Sequence, residues 1–247
     1  MPLATLVAAV IAVAAPVRVA VPPPVRPGIA AYPRIAVPAD DAQRRINAAV
    51  LRLDARVRTA ARACLTGTGT HPGDWQREVN VTMRGPEFLS YLTSDDVDCG
   101  GAHPNTALAA IVYDLRSGAP VDWTTLLPTS LTGRLGLIDG EDEVKMVTLA
   151  SPRLNALYRA GYDHGGDAAE EKECRTVIAD EMRSGPVPMI AWLDAKAGEL
   201  AVQFDLSHAE EACAETVMIP AATLRREGAS LRLLDALAAA HARRDAS

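Results

Sequence analysis

The sequence predicts an α+β fold in which antiparallel sheets are flanked by helices and stapled by disulfides. Alternating apolar residues come in pairs of segments joined by short turns, a pattern that favours hairpins over strands alternating with helices. Apolar residues at steps of three and four mark several amphipathic helices. The four cysteines are even in number and far apart in the chain, which favours two bridges.

The first half of the chain contains the clearest periodic segments. A helix is predicted to begin after Pro38, with Asp40 or Asp41 as its N-cap. Its apolar stripe recurs every three or four residues: Ile46, Val50, Leu53, Val57, Ala61 and Cys64. Residues 78–84 and 87–97 alternate with period two around a Gly-Pro turn, and they are predicted to pair as a hairpin.

The second half is predicted to add two helices and more strands. Ser151 and Pro152 have the residue types of an N-cap and first helical position, starting a helix that runs to about residue 160. Residues 163–173 are polar and are predicted to be an exposed loop. The remaining elements are strands at 106–115, 187–194, 199–205 and 215–219 and a final amphipathic helix at 230–241.

The N-terminus is predicted to be an export signal. Residues 3–15 form an apolar run that is shorter than the roughly 20 residues of a bilayer span. Ala12 and Ala14 form an A-x-A pattern, so cleavage is expected after Ala14 or Ala20. Since no Lys or Arg precedes the run, an uncleaved anchor remains the alternative, and it is the only membrane attachment we expect.

This signal sets the predicted domain organisation and the predicted location in the periplasm or outside the cell. The divisions are a signal peptide at 1–20, a proline-rich spacer at 21–31, an α+β domain at 32–224 with an N-terminal part to about 99 and a C-terminal part at 100–224, and a C-terminal amphipathic helix or tail at 225–247.

Charge is distributed unevenly along the chain. The net charge is −6. Residues 1–63 hold nine Arg and three acidic residues, a balance of +6, and the remainder therefore carries −12. An acidic body argues against nucleic acid as a partner, because phosphate binding needs a basic surface. An acidic body favours the approach of a basic partner. The alternative interpretation is that the acidic surface only keeps the protein soluble.

The cysteines, Cys64, Cys99, Cys174 and Cys213, allow three connectivities. We choose the sequential pairing, which ties the end of the long helix to the end of a strand and a loop-helix region to the last hairpin. Zinc is the competing use, but structural zinc sites place cysteines two to four residues apart, and no pair here is that close.

Residues 95–105 form the densest polar cluster in the sequence. In a catalytic interpretation His103 is a general base oriented by Asp96 or Asp98. In a structural interpretation the segment is a Gly-Gly corner whose histidine satisfies backbone groups. A triad built on His208 with Ser207 or Ser90 lacks the G-x-S-x-G elbow. We expect no metal and no cofactor.

The run Gly100-Gly101-Ala102-His103-Pro104-Asn105 resembles the exported domain of the RsiV-like family. Other segments that are similar, in the same order, are Tyr32-Pro33-Arg34-Ile35, Asp114-Leu115-Arg116-Ser117-Gly118, Thr124-Thr125-Leu126-Leu127-Pro128 and Val217-Met218-Ile219-Pro220. The resemblance implies an α+β domain. It makes Gly100, Gly101, His103 and Asn105 candidate binding residues.

The RsiV-like family includes a lysozyme-sensing anti-sigma factor, and related modules accompany peptidoglycan deacetylase domains. The sequence shows neither an anti-sigma segment before the apolar run nor a deacetylase domain. The resemblance therefore implies an isolated binding module for a lysozyme-like protein or for peptidoglycan, and not an enzyme. The alternatives are an envelope hydrolase that uses Asp96, Asp98 and His103, and a purely structural envelope protein.

Overall fold

The computed structural model describes residues 15–66, 73–100, 104–140, 145–163, 165–206 and 210–244. The strands are β1 (Val19–Ala20), β2 (Arg34–Ile35), β3 (Asp74–Arg84), β4 (Phe88–Asp98), β5 (Asn105–Asp114), β6 (Arg134–Asp139), β7 (Lys145–Ala150), β8 (Met189–Asp194), β9 (Glu199–Phe204) and β10 (Val217–Ile219). The helices are α1 (Asp41–Leu65), α2 (Trp123–Leu126), α3 (Thr129–Thr132), α4 (Pro152–Gly161), α5 (Ala168–Glu181), α6 (Ala221–Glu227) and α7 (Leu231–Arg244), with 3-10 turns at Met182–Ser184 and Glu211–Cys213.

Within the described residues, two antiparallel sheets make up most of the strand structure. One has three strands in the order β3-β4-β5, and the other has five in the order β10-β9-β8-β7-β6. A two-stranded ribbon joins β1 to β2. The prediction of an α+β fold with antiparallel sheets, flanking helices and disulfides is confirmed. The cysteines pair sequentially, Cys64 with Cys99 and Cys174 with Cys213.

The three-stranded sheet lies between α1 and the five-stranded sheet. On one face Leu89 and Tyr91 of β4 pack with Ile46 and Val50 of α1. On the other face Phe88 belongs to the larger core, which contains the five-stranded sheet and the C-terminal helices. The strand alternation therefore sends every second residue of β4 toward α1 and the others toward the larger sheet.

Direct hydrogen bonds tie the two sheets together. The backbone N–H of Leu193 in β8 donates to Ser90 Oγ at 3.2 Å, and the N–H of Ala195 donates to the carbonyl of Thr82 at 2.9 Å. Ser90 is fully buried and also accepts from Thr82 Oγ1. Ser90 thus has a structural position, which excludes it as an accessible nucleophile.

The predicted spacer at residues 21–31 is part of the fold. Ile29 is fully buried. The N–H of Arg77 donates to the carbonyl of Gly28, and the N–H of Ala30 donates to the carbonyl of Arg77. The segment turns at Pro27 and Gly28, where the N–H of Val25 donates to the carbonyl of Ile29, and Ile29 then forms a single bridge with Arg77 of β3. Cleavage after Ala20 would remove β1 and its pairing with β2, whereas cleavage after Ala14 would keep both.

Two of the predicted domain divisions cut across contacts of the fold. The division at 99/100 separates β4 from β5, although these strands pair along their whole length. The boundary at 224/225 falls inside α6. Beyond it lies α7, at the place of the predicted amphipathic helix, and its residues Leu233, Leu234 and Leu237 are buried in the larger core.

The loop predicted at 163–173 is wrong for its second half, where α5 begins at Ala168. Asp167 and Glu170 form a capping box, which satisfies two backbone N–H groups at the start of the helix. This helix buries only Cys174 and Ile178, so its sequence shows little apolar periodicity. The strands β6 and β7 have no counterpart among the elements predicted from the sequence.

Residues 1–14, which hold most of the predicted signal, lie outside the described residues. Along the part of the chain that is described, no helix combines the length and the apolar character needed to cross a bilayer.

Arg232 fastens α7 to the three-stranded sheet. Its guanidinium donates to Glu87 Oε2 at 2.7 Å and to Asp114 Oδ2 at 2.6 Å, and it lies over the Phe88 ring. Partial burial opposes ionisation of both carboxyls, but the hydrogen bonds from Arg232 and from Arg116 outweigh it and lower the pKa of Glu87 and of Asp114.

We predict that Arg232→Ala lowers the free energy of unfolding at pH 7 by about 2–3 kcal/mol, because it removes hydrogen bonds between charged, partly buried groups. Since both carboxyl pKa values are lowered on folding, the contribution of the contact is full above the unfolded values and is lost as the pH falls through the folded ones. The difference between wild type and variant should therefore shrink below about pH 4.

Urea unfolding followed by circular dichroism at several pH values tests this prediction. Arg225→Ala is the control, because Arg225 is exposed on α6 and should change stability little at any pH. An Arg232→Ala deficit that persists unchanged at low pH would contradict the role given to the two carboxylates.

Candidate functional site

A groove of about 230 Å³ lies where the start of β5 approaches the end of β9 and the 3-10 turn at Glu211–Cys213. We call it the acidic groove. Its polar lining residues are Asn105, Thr106, Gln203, Asp205 and Glu211, and its apolar lining includes Leu108, Ile138, Met146, Ile190 and Phe204. The groove is thus built by both sheets.

One wall of the acidic groove is the beginning of β5. The hydroxyl of Thr106 donates to Glu211 Oε2 at 2.7 Å and so joins this wall to the opposite one. The chain reaches β5 through the turn after β4, where Gly100 has a φ of +79° and its N–H donates to Asp98 Oδ1. A positive φ favours glycine. The Cys64–Cys99 disulfide fixes the start of this turn to the end of α1.

The opposite wall is the segment that contains Glu211, and two tyrosines in and just after α4 bind its backbone. Tyr158 donates its hydroxyl to the carbonyl of Glu215 at 2.7 Å, and Tyr162 donates its hydroxyl to the carbonyl of Cys213 at 3.0 Å. The Cys174–Cys213 disulfide joins the same segment to α5. Three independent attachments therefore fix the backbone within a few residues of Glu211.

The electrostatic character of the groove comes from its two carboxylates. Asp205 and Glu211 line it, and no Lys or Arg does so among the described lining residues. Asp205 is exposed as a residue, but neighbouring protein atoms partly exclude water from its carboxyl group. This burial is the larger cause of the raised pKa of Asp205, and the negative charge of Glu211 is the second. A cationic group that enters the groove would lower this repulsion.

The structure divides the aspartates that the sequence grouped together. Asp95 is buried and receives hydrogen bonds from Arg77 Nε at 2.6 Å, Arg77 Nη2 at 2.7 Å and Trp75 Nε1 at 2.7 Å. Asp96 is exposed and directly opposite Thr106 in the sheet, on the side of the acidic groove. Asp98 accepts the hydrogen bond that closes the Gly100 turn.

The remaining predicted residues are only partly placed. Asn105 lines the groove, and Gly100 shapes the turn that leads to it. Gly101 and His103, like Ser207 and His208, lie outside the described residues. Among the residues that are described, no group of three His, Cys, Asp or Glu side chains is arranged to hold a metal ion.

Sequence reasoning missed Gln203, Asp205 and Glu211 as groove residues. They come from a strand end and a turn about 100 residues after Thr106, and nothing in their local pattern indicates that they meet it. The one available signal was Cys213: a bridged cysteine two residues after Glu211 fixes that turn against the fold.

Comparisons with known proteins give structural likenesses alone, because no family model and no curated protein matches the sequence. A crystal structure of a DUF3298 family protein from Pseudomonas aeruginosa PAO1 is similar with 16% identity and a TM-score of 0.39, over 67% of this chain and 66% of that one. The chain thus spans about two thirds of that protein's length.

A DUF3298 family member from Bacteroides fragilis NCTC 9343 is similar with 12% identity and a TM-score of 0.44, over 78% of this chain and 70% of that one. DUF3298 is the RsiV-like extracellular domain. At these identities and TM-scores neither likeness carries an argument about function.

Two neighbouring aspartates of β4 give a matched test of the site assignment. We predict that Asp95→Ala lowers the free energy of unfolding by about 3–5 kcal/mol, because it leaves the buried Arg77 charge without its carboxylate. Asp96→Ala should change stability by no more than about 0.5 kcal/mol, as for most exposed positions.

Urea unfolding of the two variants beside wild type measures both values. Equal losses of stability for Asp95→Ala and Asp96→Ala would contradict the assignment of one aspartate to the core and the other to the surface.

Proposed function

We propose that this chain is an extracytoplasmic binding module of the RsiV-like type, and that its acidic groove takes basic side chains of a lysozyme-like protein. The observation that carries the proposal is that two carboxylates, Asp205 and Glu211, line one groove and lie close enough for the charge of Glu211 to raise the pKa of Asp205. Asp96 adds a third carboxylate on the same side of the sheet.

An extracytoplasmic setting is supported by the two disulfides, which tie together segments 35 and 39 residues apart. Bridges of this kind form and persist in oxidising compartments and are rare in the cytosol. The apolar run at residues 3–15, with its A-x-A pattern, supports export of the same chain.

The choice of a basic protein partner follows from charge. Residues after 63 carry a balance of −12, and an acidic surface accelerates the approach of a basic protein. A short-range contact is also available, because a Lys or Arg side chain in the groove would donate charge-assisted hydrogen bonds to Asp205 and Glu211. The resemblance of Gly100–Asn105 to the RsiV-like family supports a lysozyme-like partner in particular.

We favour binding over hydrolysis because two of the three clustered aspartates already have structural partners. Asp95 is paired with Arg77, and Asp98 closes the Gly100 turn. The predicted hydrolytic set of Asp96, Asp98 and His103 therefore lacks a second carboxylate that the fold does not already use, whereas general acid–base hydrolysis of a glycosidic bond needs two carboxyl groups flanking the bond.

Calorimetric titration of the chain from residue 15 onward with a purified basic lysozyme tests the proposal. We predict saturable binding that weakens as ionic strength rises, because salt screens the contributing charges. The double variant Asp205→Asn, Glu211→Gln should raise the Kd about tenfold or more, a loss of at least ~1.4 kcal/mol. Affinity should also fall as the pH drops through the raised pKa of Asp205, which removes its charge.

Asp235→Asn is the matched control, since Asp235 is exposed on α7 and does not line the groove. Absence of binding at micromolar concentrations would refute the lysozyme-like partner. If the double variant binds lysozyme as tightly as wild type, the groove is not the binding site. If only soluble peptidoglycan fragments bind, peptidoglycan replaces the lysozyme-like protein as the partner.

A further inference from the structure

β6 is an open edge of the five-stranded sheet. It pairs with β7 along its full length, and it forms no ladder with another described strand on its other side. An open edge presents a row of backbone N–H and C=O groups that another strand can pair with. Soluble proteins usually protect such edges with charged residues, prolines, bulges or very short strands.

The two edges of this sheet differ in protection. β10, at the other edge, has three residues and is followed at once by Pro220. β6 has six residues, no proline and no charged residue between Arg134 and Asp139. Leu135 and Leu137 of β6 are 43% and 65% exposed, and they lie on one face of the sheet because they are two positions apart.

We propose that β6 is the interface through which two copies of this chain associate, by antiparallel pairing of β6 with β6 about a two-fold axis at Gly136. Directly opposed residues of an antiparallel pair alternate between a hydrogen-bonded and a non-hydrogen-bonded class. Pairs that a two-fold axis relates must belong to the same class, so the axis must pass between two copies of one residue. Centred on Gly136, the register places Leu135 of each copy opposite Leu137 of the other.

This register covers all four exposed leucines of the two edges and places them in two direct cross-strand pairs. Centring the axis one residue later would place Leu135 opposite Asp139, which leaves an apolar side chain beside an acidic residue. The apolar pattern therefore selects one register. At its centre Gly136 opposes Gly136, so that no side chain separates the two backbones.

Charge complementarity supports the same register. Arg134 is exposed and forms no ion pair with a described residue. In the proposed pairing it lies opposite Ile138 of the second copy, and Ile138 lines the acidic groove with Asp205 and Glu211. Each copy thus brings a basic residue to the margin of the other's acidic groove, an isologous arrangement typical of two-fold dimers.

Sedimentation velocity on the chain from residue 15 onward, from about 1 to about 200 µM, tests the proposal over the range of weak to moderate dimers. We predict a concentration-dependent shift from monomer to dimer. Leu137→Asp should raise the dimer Kd about tenfold or more, because the carboxylate would be buried against Leu135 of the second copy.

Leu231→Asp is the matched control: Leu231 is 71% exposed and belongs to α7 and not to β6, so this variant should dimerise like wild type. Circular dichroism and melting curves establish that both variants fold. A monomer throughout the concentration range, or a dimer that Leu137→Asp leaves intact, would overturn the proposal.

The register has its own test. Chains carrying Leu135→Cys and chains carrying Leu137→Cys should form an intermolecular disulfide when mixed and oxidised, because these positions are directly opposed. Each variant alone should cross-link far more slowly, because its two copies of the new cysteine are offset along the strands. Equal cross-linking of each variant by itself would overturn the register. Lysozyme binding plays no part in either readout, so the outcome is independent of the proposed function.

Discussion

The buried pair between Arg77 and Asp95 is the contact on which the rest of the structure depends. Both side chains are almost completely excluded from solvent, and a buried charge that loses its partner costs several kcal/mol. The pair joins β3 to β4 at one register position. The backbone of Arg77 also holds the N-terminal segment at Gly28 and Ala30. A slip of one residue would break all of these contacts at once.

The same constraint orients the candidate site. Since neighbouring residues of a strand face opposite sides of a sheet, the burial of Asp95 turns Asp96 toward the side of Thr106 and the acidic groove. The second wall of the groove depends on other attachments, namely the hydroxyls of Tyr158 and Tyr162 and the Cys174–Cys213 disulfide. Contacts within the described residues therefore hold both walls, so that a partner of the proposed kind would meet a largely preformed groove.

The sequence predicted those parts of the fold whose signals are local. The Asp40 cap, the Ser151–Pro152 helix start and both hairpins lie where the periodic patterns placed them. The helix α5 is not predicted from the sequence, because few of its residues are buried and its apolar periodicity is weak. The groove is not predicted for a different reason: Asp205 and Glu211 approach Thr106 only through tertiary packing, which local sequence patterns do not indicate. Likewise, local sequence cannot distinguish Asp95 from Asp96, because the difference is the presence of Arg77 on the adjacent strand.

Hydrogen exchange measured by mass spectrometry, with and without a saturating basic lysozyme, tests most directly the proposal that the acidic groove is a binding surface. Peptides that cover the start of β5 and residues 203–206 and 210–215 should exchange more slowly in the complex, while the exposed face of α1 should be unaffected. Protection confined to α1, or no change around the groove despite saturation, would contradict the account.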